Sequence, residues 1–249
     1  MLIKCDLHNH TSFSFDGEVT PQALVDHYAE QGFGAVAVTD HNSRLGGLAV
    51  AELDPPFTVI VGAEIKSRHG EIIGLFLDKD VEPGLSALET AQAIHEAGGL
   101  TLLPHPFLPL VISRMDEREL PGLVAHLDLV EALNARGDDP THDRDAVTWA
   151  RANGIAMSAG SDAHHPGGIG MGYVLMEDFD GPQDFLEKVR NGSLVCVRRT
   201  HLYRSFFNWV PGHVFGLRRI RKMHSEYKKD RPMRPLWEKP DARTRPKYW

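Results

Sequence analysis

The sequence predicts an α/β fold, either a barrel or a doubly wound sheet with helices on its faces, and two observations carry that expectation. Short, nearly continuous apolar runs alternate with longer amphipathic stretches over residues 1–199. Residues able to do chemistry stand at the carboxyl end of one run after another, which is where parallel α/β folds gather their sites.

Residues 2–7, 35–39, 57–62, 72–77, 100–103, 127–133 and 155–159 read as about seven strands, several apolar throughout, as strands buried on both faces are. Between them residues 21–31, 85–97, a stretch after Met115, and residues 142–153 read as helices. Thr20 followed by Pro21 supplies a cap and a preformed first turn, while Gly32, Gly98 with Gly99, and Gly154 stand where helices end. Residues 57–77 break the alternation. Two strands there are separated only by residues 66–70, too few for a crossover, so they are expected to pair as an antiparallel hairpin, with Glu71 beside the end of the first strand.

A chain of 249 residues with 42% hydrophobic and 24% charged positions can bury a substantial core, which excludes disordered, fibrous and disulfide-scaffold classes. No apolar run approaches the roughly 18 residues of a membrane span, and the start lacks the pattern of a signal peptide, so a cytoplasmic location is expected. Cys5 and Cys196 are too few for a disulfide framework and read as reduced thiols. The net charge of −7 hides a division: residues 1–197 hold 12 basic and 30 acidic side chains, residues 198–249 hold 15 and 4. Two regions are therefore expected, a body over residues 1–199 and a basic, aromatic-containing extension over residues 200–249. Such an extension suits nucleic-acid phosphates, an anionic membrane surface, or simple pairing with its own acidic body or a second subunit.

The positions of the histidines matter more than their number. His8 and His10 close the first run, His41 the second, Glu64 the third, His105 the fifth, Glu131 and Asn134 the sixth, Asp162 and His164 the seventh. In strand geometry His8 and His10 point to one side, as do Asp162 and His164, so each pair can reach one ion. Asp40 and His41 are adjacent and point oppositely, which makes one a ligand and the other its support. A single histidine at a strand end is usually only a satisfied polar group, but the coincidence over so many runs favours a metal centre. His27, His95, His126, His142, His201, His213 and His224 read as helix surface or extension, while His69 and His165 stay open. No G-x-S-x-G elbow, C-x-x-C, phosphate loop or G-x-G-x-x-G is present. Mixed nitrogen and oxygen donors suit Zn, Mn or Fe, and more than four candidates imply more than one ion.

Six motifs then carry a resemblance: Asp6-Leu-His-Asn-His-Thr-Ser-Phe-Ser-Phe-Asp-Gly17, Thr39-Asp-His-Asn42, Gly62-Ala-Glu-Ile65, Pro104-His-Pro106, Glu131-Ala-Leu-Asn134 and Gly160-Ser-Asp-Ala-His164. In this order they resemble the polymerase and histidinol phosphatase (PHP) superfamily over residues 1–199. The resemblance implies a distorted (β/α)7 TIM-like barrel with a trinuclear site, two to three divalent ions in all, that hydrolyses phosphate esters. It implies that His8, His10, Glu64 and Asp162 hold one ion, that Glu64 bridges to a second completed by His105 and Glu71, and that Asp16, His41 and His164 hold a third. Many relatives place a histidine where this chain has Glu71, and His69 is the alternative. A metal-bridging hydroxide is the expected nucleophile, with His41 or His164 protonating the leaving oxygen and Arg136, Arg44 or Arg114 positioning the phosphate. Expected substrates are phosphorylated small molecules, nucleotides or oligonucleotides. A histidinol-phosphatase-like activity and a non-catalytic metal-binding accessory module are the alternatives. An amidohydrolase would need a lysine at a mid-barrel strand end, and none stands there. Oligomeric state is not legible in the sequence.

Overall fold

A computed structural model of the chain describes residues 1–109, 111–137 and 139–199; the basic extension, residues 200–249, lies outside the described residues. The elements begin β1 (Leu2–Asp6), α1 (Pro21–Glu30), β2 (Ala35–Val38), α2 (Leu45–Ala51), β3 (Thr58–Val61), β4 (Ala63–Lys66) and β5 (Glu71–Leu75). They continue α3 (Ala87–Glu96), β6 (Leu100–Leu103), α4 (Leu120–Leu123), β7 (Leu129–Asn134) and α5 (Thr141–Asn153). Last come β8 (Ala156–Gly160), β9 (Gly172–Glu177), α6 (Gly181–Val189) and β10 (Ser193–Cys196).

The helices start where the sequence provides for orphaned amides. The Thr20 side chain accepts from the Ala23 amide ahead of α1, and Ser86 with Glu89 forms a reciprocal capping box on α3. The strand after α1 is apolar at every position because it is buried on both faces. Ala35 and Ala37 of β2 point into a central cluster with Cys5, Leu7, Ile60, Ile73, Leu102 and Leu129. Val36 and Val38 point the other way, beneath Leu24 and Tyr28 of α1. On the far side Ala87, Ala91 and Ile94 of α3 cover Ile65, Ile72, Leu103 and Val130.

The strands fall into two five-stranded sheets, ordered β10-β9-β1-β2-β3 and β4-β5-β6-β7-β8. Neither is purely parallel: β9 runs antiparallel to β1 and β10, and β5 runs antiparallel to both β4 and β6. Because the ladders fall into these two separate sheets, they form no closed barrel among the described residues, where seven strands in one ring were expected. The physical reason lies at Gly62. The backbone leaves β3 there and begins β4 in the other sheet, so the run read as one strand ending near Glu64 is two. An added Cβ on Gly62 would sit 2.6 Å from the Gly74 carbonyl oxygen, so only glycine allows the sheets so close. The antiparallel hairpin expected over residues 57–77 is formed by β4 and β5.

The two sheets meet at the carboxyl ends of β1 and β2. Asn9 bridges to Ala163 and His41 to Glu64, supported by amide bonds from Asp162 to the His8 carbonyl (2.7 Å) and from Asn42 to the Glu64 carbonyl (2.8 Å). No helix of the described residues is long and apolar enough to cross a membrane.

Candidate metal centre

Those two seams bring the strand-end residues together. Beyond β1 the chain stays extended, so His8 and His10, both fully buried, turn the same way and place their Nε2 atoms 3.2 Å apart. Glu64, in the middle of β4, is the hub. Its Oε2 lies 3.2 Å from His41 Nδ1, 3.3 Å from His10 Nε2 and 3.6 Å from His8 Nε2, while Oε1 lies 3.0 Å from His105 Nε2. Asp162 Oδ1 sits 3.7 Å from His8 Nε2 and 3.6 Å from His10 Nε2. Asp16, in the loop before α1, faces His41 Nε2 at 3.5 Å and His164 Nε2 at 3.4 Å. Glu71 Oε1 completes the set 3.8 Å from His41 Nδ1.

Four overlapping trios of ligand atoms result, each within 4.8 Å of one another: His8, His10 and Asp162; His8, Glu64 and His105; His41, Glu64 and Glu71; His10, His41 and His164. Asp16 joins through its contacts with His41 and His164. The donor set fits divalent cations on independent grounds. Asp16 Oδ1, Glu71 Oε2 and His164 Nε2 are buried polar atoms with no hydrogen-bond partner, a costly state that an ion would relieve.

Charges in this enclosed space move one another's titration. Burial by itself would lower the His41 imidazole, but Asp16, Glu64 and Glu71 outweigh it and lift its pKa to about 10. His10 goes the other way, held well below its ordinary range by burial and by the neighbouring His164 and His41. Burial would raise Glu64, yet the surrounding histidines, His8 foremost, hold it well below the ordinary carboxylate range.

A second layer of groups fixes the first. Asp40 faces away from the cluster: it accepts the Thr11 amide and hydroxyl and the Ser14 hydroxyl at 2.7–2.8 Å. Ser14 Oγ in turn lies 3.0 Å from His10 Nδ1 and accepts the His41 amide at 3.1 Å. Of the adjacent pair, then, His41 joins the cluster and Asp40 supports it. Glu131 plays the same part on the other side, with His8 Nδ1 at 3.0 Å, the His105 amide donating at 2.7 Å and Asn134 Nδ2 at 2.9 Å. Sequence reasoning noted Glu131 and Asn134 at a strand end without giving them a part, and it passed over Ser14, whose signal is its place four residues after His10 in the first motif. Five non-glycine residues among the described ones have positive φ, and three of them, Asn42, His105 and Asp162 (54°, 31° and 48°), lie in or beside the cluster; the strained conformation is enriched at functional sites.

Glu71, not His69, reaches the cluster. His69 faces outward, 41% exposed, with Nδ1 3.2 Å from Glu119. The three arginines separate. Arg136 Nη1 donates to Asp162 Oδ1 at 3.2 Å, at the edge of the cluster. Arg44 is buried but donates to the Leu77 carbonyl and to Asp80, neither of which belongs to the cluster. Arg114 pairs at the surface with Glu117 and touches the Pro106 carbonyl.

Comparison with known proteins identifies the family. The family model described as PHP domain matches residues 6–166, and one described as PHP-associated matches residues 140–194. An uncharacterized protein of Methanocaldococcus jannaschii is 37% identical over 170 residues, covering 63% of this chain and 90% of its own length. A second from the same organism is 28% identical over 211 residues, covering 79% and 84%. Among solved structures, a two-domain protein from Bacteroides vulgatus containing a predicted PHP-like metal-dependent phosphoesterase superposes with a TM-score of 0.63 at 19% identity, over 83% of this chain and 69% of that one. With the first motif, the Glu64 hub and the Asp162–His164 pair all inside the matched span, the chain belongs to the PHP domain family.

Proposed function

We propose that the protein is a metal-dependent hydrolase of phosphate esters, acting on a phosphomonoester or on a nucleotide or oligonucleotide phosphodiester at a multinuclear site. The observation that carries this reading is the overlap of the four ligand trios, which share His8, His10, His41 and Glu64 and so suit adjacent ions rather than one. His8, His10, Glu64 and Asp162 would hold one ion, Glu64, Glu71 and His105 a second, and Asp16, His41 and His164 a third. Two or three ions of Mn, Fe or Zn are the cofactors that such nitrogen and oxygen donors select. Divalent ions bound there supply the charge that makes a water oxygen acidic near neutral pH and that offsets the phosphoryl oxygens.

The chain's own groups do the rest. Arg136, beside Asp162, orients the phosphoryl group through its planar fork of donors. His41 Nε2 and His164 Nε2 both face Asp16, and whichever of the two imidazoles is not held by an ion is placed to pass a proton to the leaving oxygen. Burial of His8, His10, Glu64 and Asp162 keeps bulk water from the ligand atoms.

The test pairs metal analysis with a substrate screen. Freshly purified protein should hold two to three equivalents of Mn, Fe or Zn and release phosphate from some member of a panel of phosphomonoesters, diesters and 5′-phosphorylated oligonucleotides. His41→Ala and Asp162→Ala should abolish that release with the circular dichroism spectrum kept. A folded protein that takes up no metal, or turnover that survives both changes, overturns the reading.

A further inference from the structure

The last described residues lie outside the PHP domain match and outside every ligand trio, yet one of them reaches back to the site. After β10 the Val197 amide donates to the Met171 carbonyl, and the chain then carries Arg199 to the turn that follows β7. Arg199 Nη1 donates to the Gly137 carbonyl at 3.0 Å and to the Asn134 carbonyl at 3.4 Å, and Nη2 pairs with the Asp143 carboxylate of α5. Asp143 Oδ1 in turn accepts the Asn134 amide at 3.5 Å. The backbone of Asn134 is thus held from both sides, its carbonyl by Arg199 and its amide by the partner of Arg199.

That residue is the link to the chemistry. Asn134 Oδ1 accepts the Arg136 amide at 2.8 Å, and Asn134 Nδ2 donates to Asp162 Oδ2 at 3.2 Å. Arg136 completes the loop by donating Nη1 to Asp162 Oδ1. We propose that Arg199 is a positioning residue for Arg136: its guanidinium spans the two carbonyls at the ends of the turn over residues 134–137 and so fixes where the Arg136 side chain meets the phosphate. A planar fork with donors on two nitrogens can bridge two carbonyls and a carboxylate at once, which a lysine ammonium, a single point of charge, cannot do with the same geometry. Both members of the Arg199–Asp143 pair are largely buried, 20% and 15% exposed, so loss of Arg199 leaves the Asp143 carboxylate without its cation and the Gly137 carbonyl without this donor. A turn released in this way shifts the group that it carries, and small displacements of a positioning group are costly for binding.

This inference rests on the phosphoesterase reading, and the experiment separates the two. Inorganic phosphate is titrated into the metal-loaded full-length protein, and KM and kcat are measured on the best small phosphomonoester. Arg199→Ala should weaken phosphate binding about 10-fold, the size expected for a charged hydrogen bond set out of place, and raise KM to match, with kcat little changed and metal content unaltered. The Arg136→Ala change should weaken it at least as much, and the double variant should be no weaker than Arg136→Ala alone, since the two act through one contact. Arg199→Lys, which keeps the charge beside Asp143, should fall between wild type and Arg199→Ala and serves as the measure where Arg199→Ala does not fold. Wild-type phosphate affinity in Arg199→Lys and in Arg199→Ala, or additive losses in the double variant, overturns the inference alone. Wild-type protein that binds no phosphate and hydrolyses no ester overturns the phosphoesterase reading and this one with it.

Discussion

Ser14 shows how much a single small side chain carries. Its hydroxyl donates to Asp40, so the same oxygen must accept from His10 Nδ1 and from the His41 amide. That arrangement puts the His10 proton on Nδ1 and leaves Nε2 to face the cluster. Ser14→Ala should therefore lower metal affinity by about 10- to 100-fold, the usual weight of such outer partners, with Ser14→Thr restoring most of it. Isothermal titration with Mn²⁺ reads this directly, and unchanged affinity would contradict the role given to the hydroxyl. His41 gives the pH dependence. Its pKa of about 10 in the ion-free chain, against an ordinary 6.5, means that it carries a proton at neutral pH and must lose it to bind an ion. The protonated form stabilises the ion-free fold fully below about pH 6.5, and that contribution is lost as pH rises through about 10. Ion uptake at pH 8 should accordingly release at least one proton, with affinity rising as pH increases over that window. Titration in buffers of different ionisation enthalpy checks it, and uptake without proton release would refute the assignment.

At the scale of elements, the hairpin of β4 and β5 decides the site, because it delivers Glu64 from one strand and Glu71 from the other. Its placement depends on Gly62 lying against the Gly74 carbonyl. Gly62→Ala should cost about 1–3 kcal/mol, as forced overpacking does, and weaken metal binding along with stability. Gly122→Ala in α4 is the matched control, since an added Cβ there meets nothing within 4 Å and alanine favours a helix. Denaturant unfolding of the two variants should move in opposite directions, and equal midpoints would show that the close approach at Gly62 is not limiting. The hairpin was legible in the sequence because residues 66–70 are too few for a crossover. The separate strand beyond Gly62 was not, because Ala63–Lys66 is only four residues long with Glu64 and Lys66 among them, and a change of sheet leaves no mark in hydropathy. Strands β9 and β10, with helices α2 and α6, also escaped the reading. Strand β9 alternates buried and more exposed positions, but its sequence Gly-Tyr-Val-Leu-Met-Glu carries no matching alternation of hydropathy, and α2, with its sequence Leu-Gly-Gly-Leu-Ala-Val-Ala, shows no helical period at all.

For the whole molecule, the charge division sets the question. Carboxylates of the ligand set, Asp16, Glu64, Glu71 and Asp162, make up part of the body's acidity, and bound divalent ions would offset it. The basic extension over residues 200–249 is joined to the body immediately after Arg199, the residue that grips the turn beside the cluster. Ending the chain after Arg199 should leave turnover of small phosphomonoesters unchanged while reducing activity on oligonucleotides, with a salt dependence weaker than that of the full chain. Equal activity of both forms on oligonucleotides would remove nucleic-acid contact from the roles of the extension and favour pairing with the acidic body.

The sequence by itself determined the α/β class, the helices with clear caps, the hairpin and the strand-end positions of His8, His10, His41, Glu64, His105, Asp162 and His164, because strand periodicity and strand-end position are local properties, while Asp16 and Glu71 entered through the family resemblance. Only the tertiary structure decided that Glu71 rather than His69 faces the cluster, that Asp40 supports while His41 joins, that Arg136 alone of the three named arginines contacts a candidate ligand in the described residues, and that two sheets meet where one barrel was expected. Each of these turns on which groups lie within about 4 Å across a seam between distant segments. Pair distances of that kind follow from packing, and no local stretch of sequence contains them.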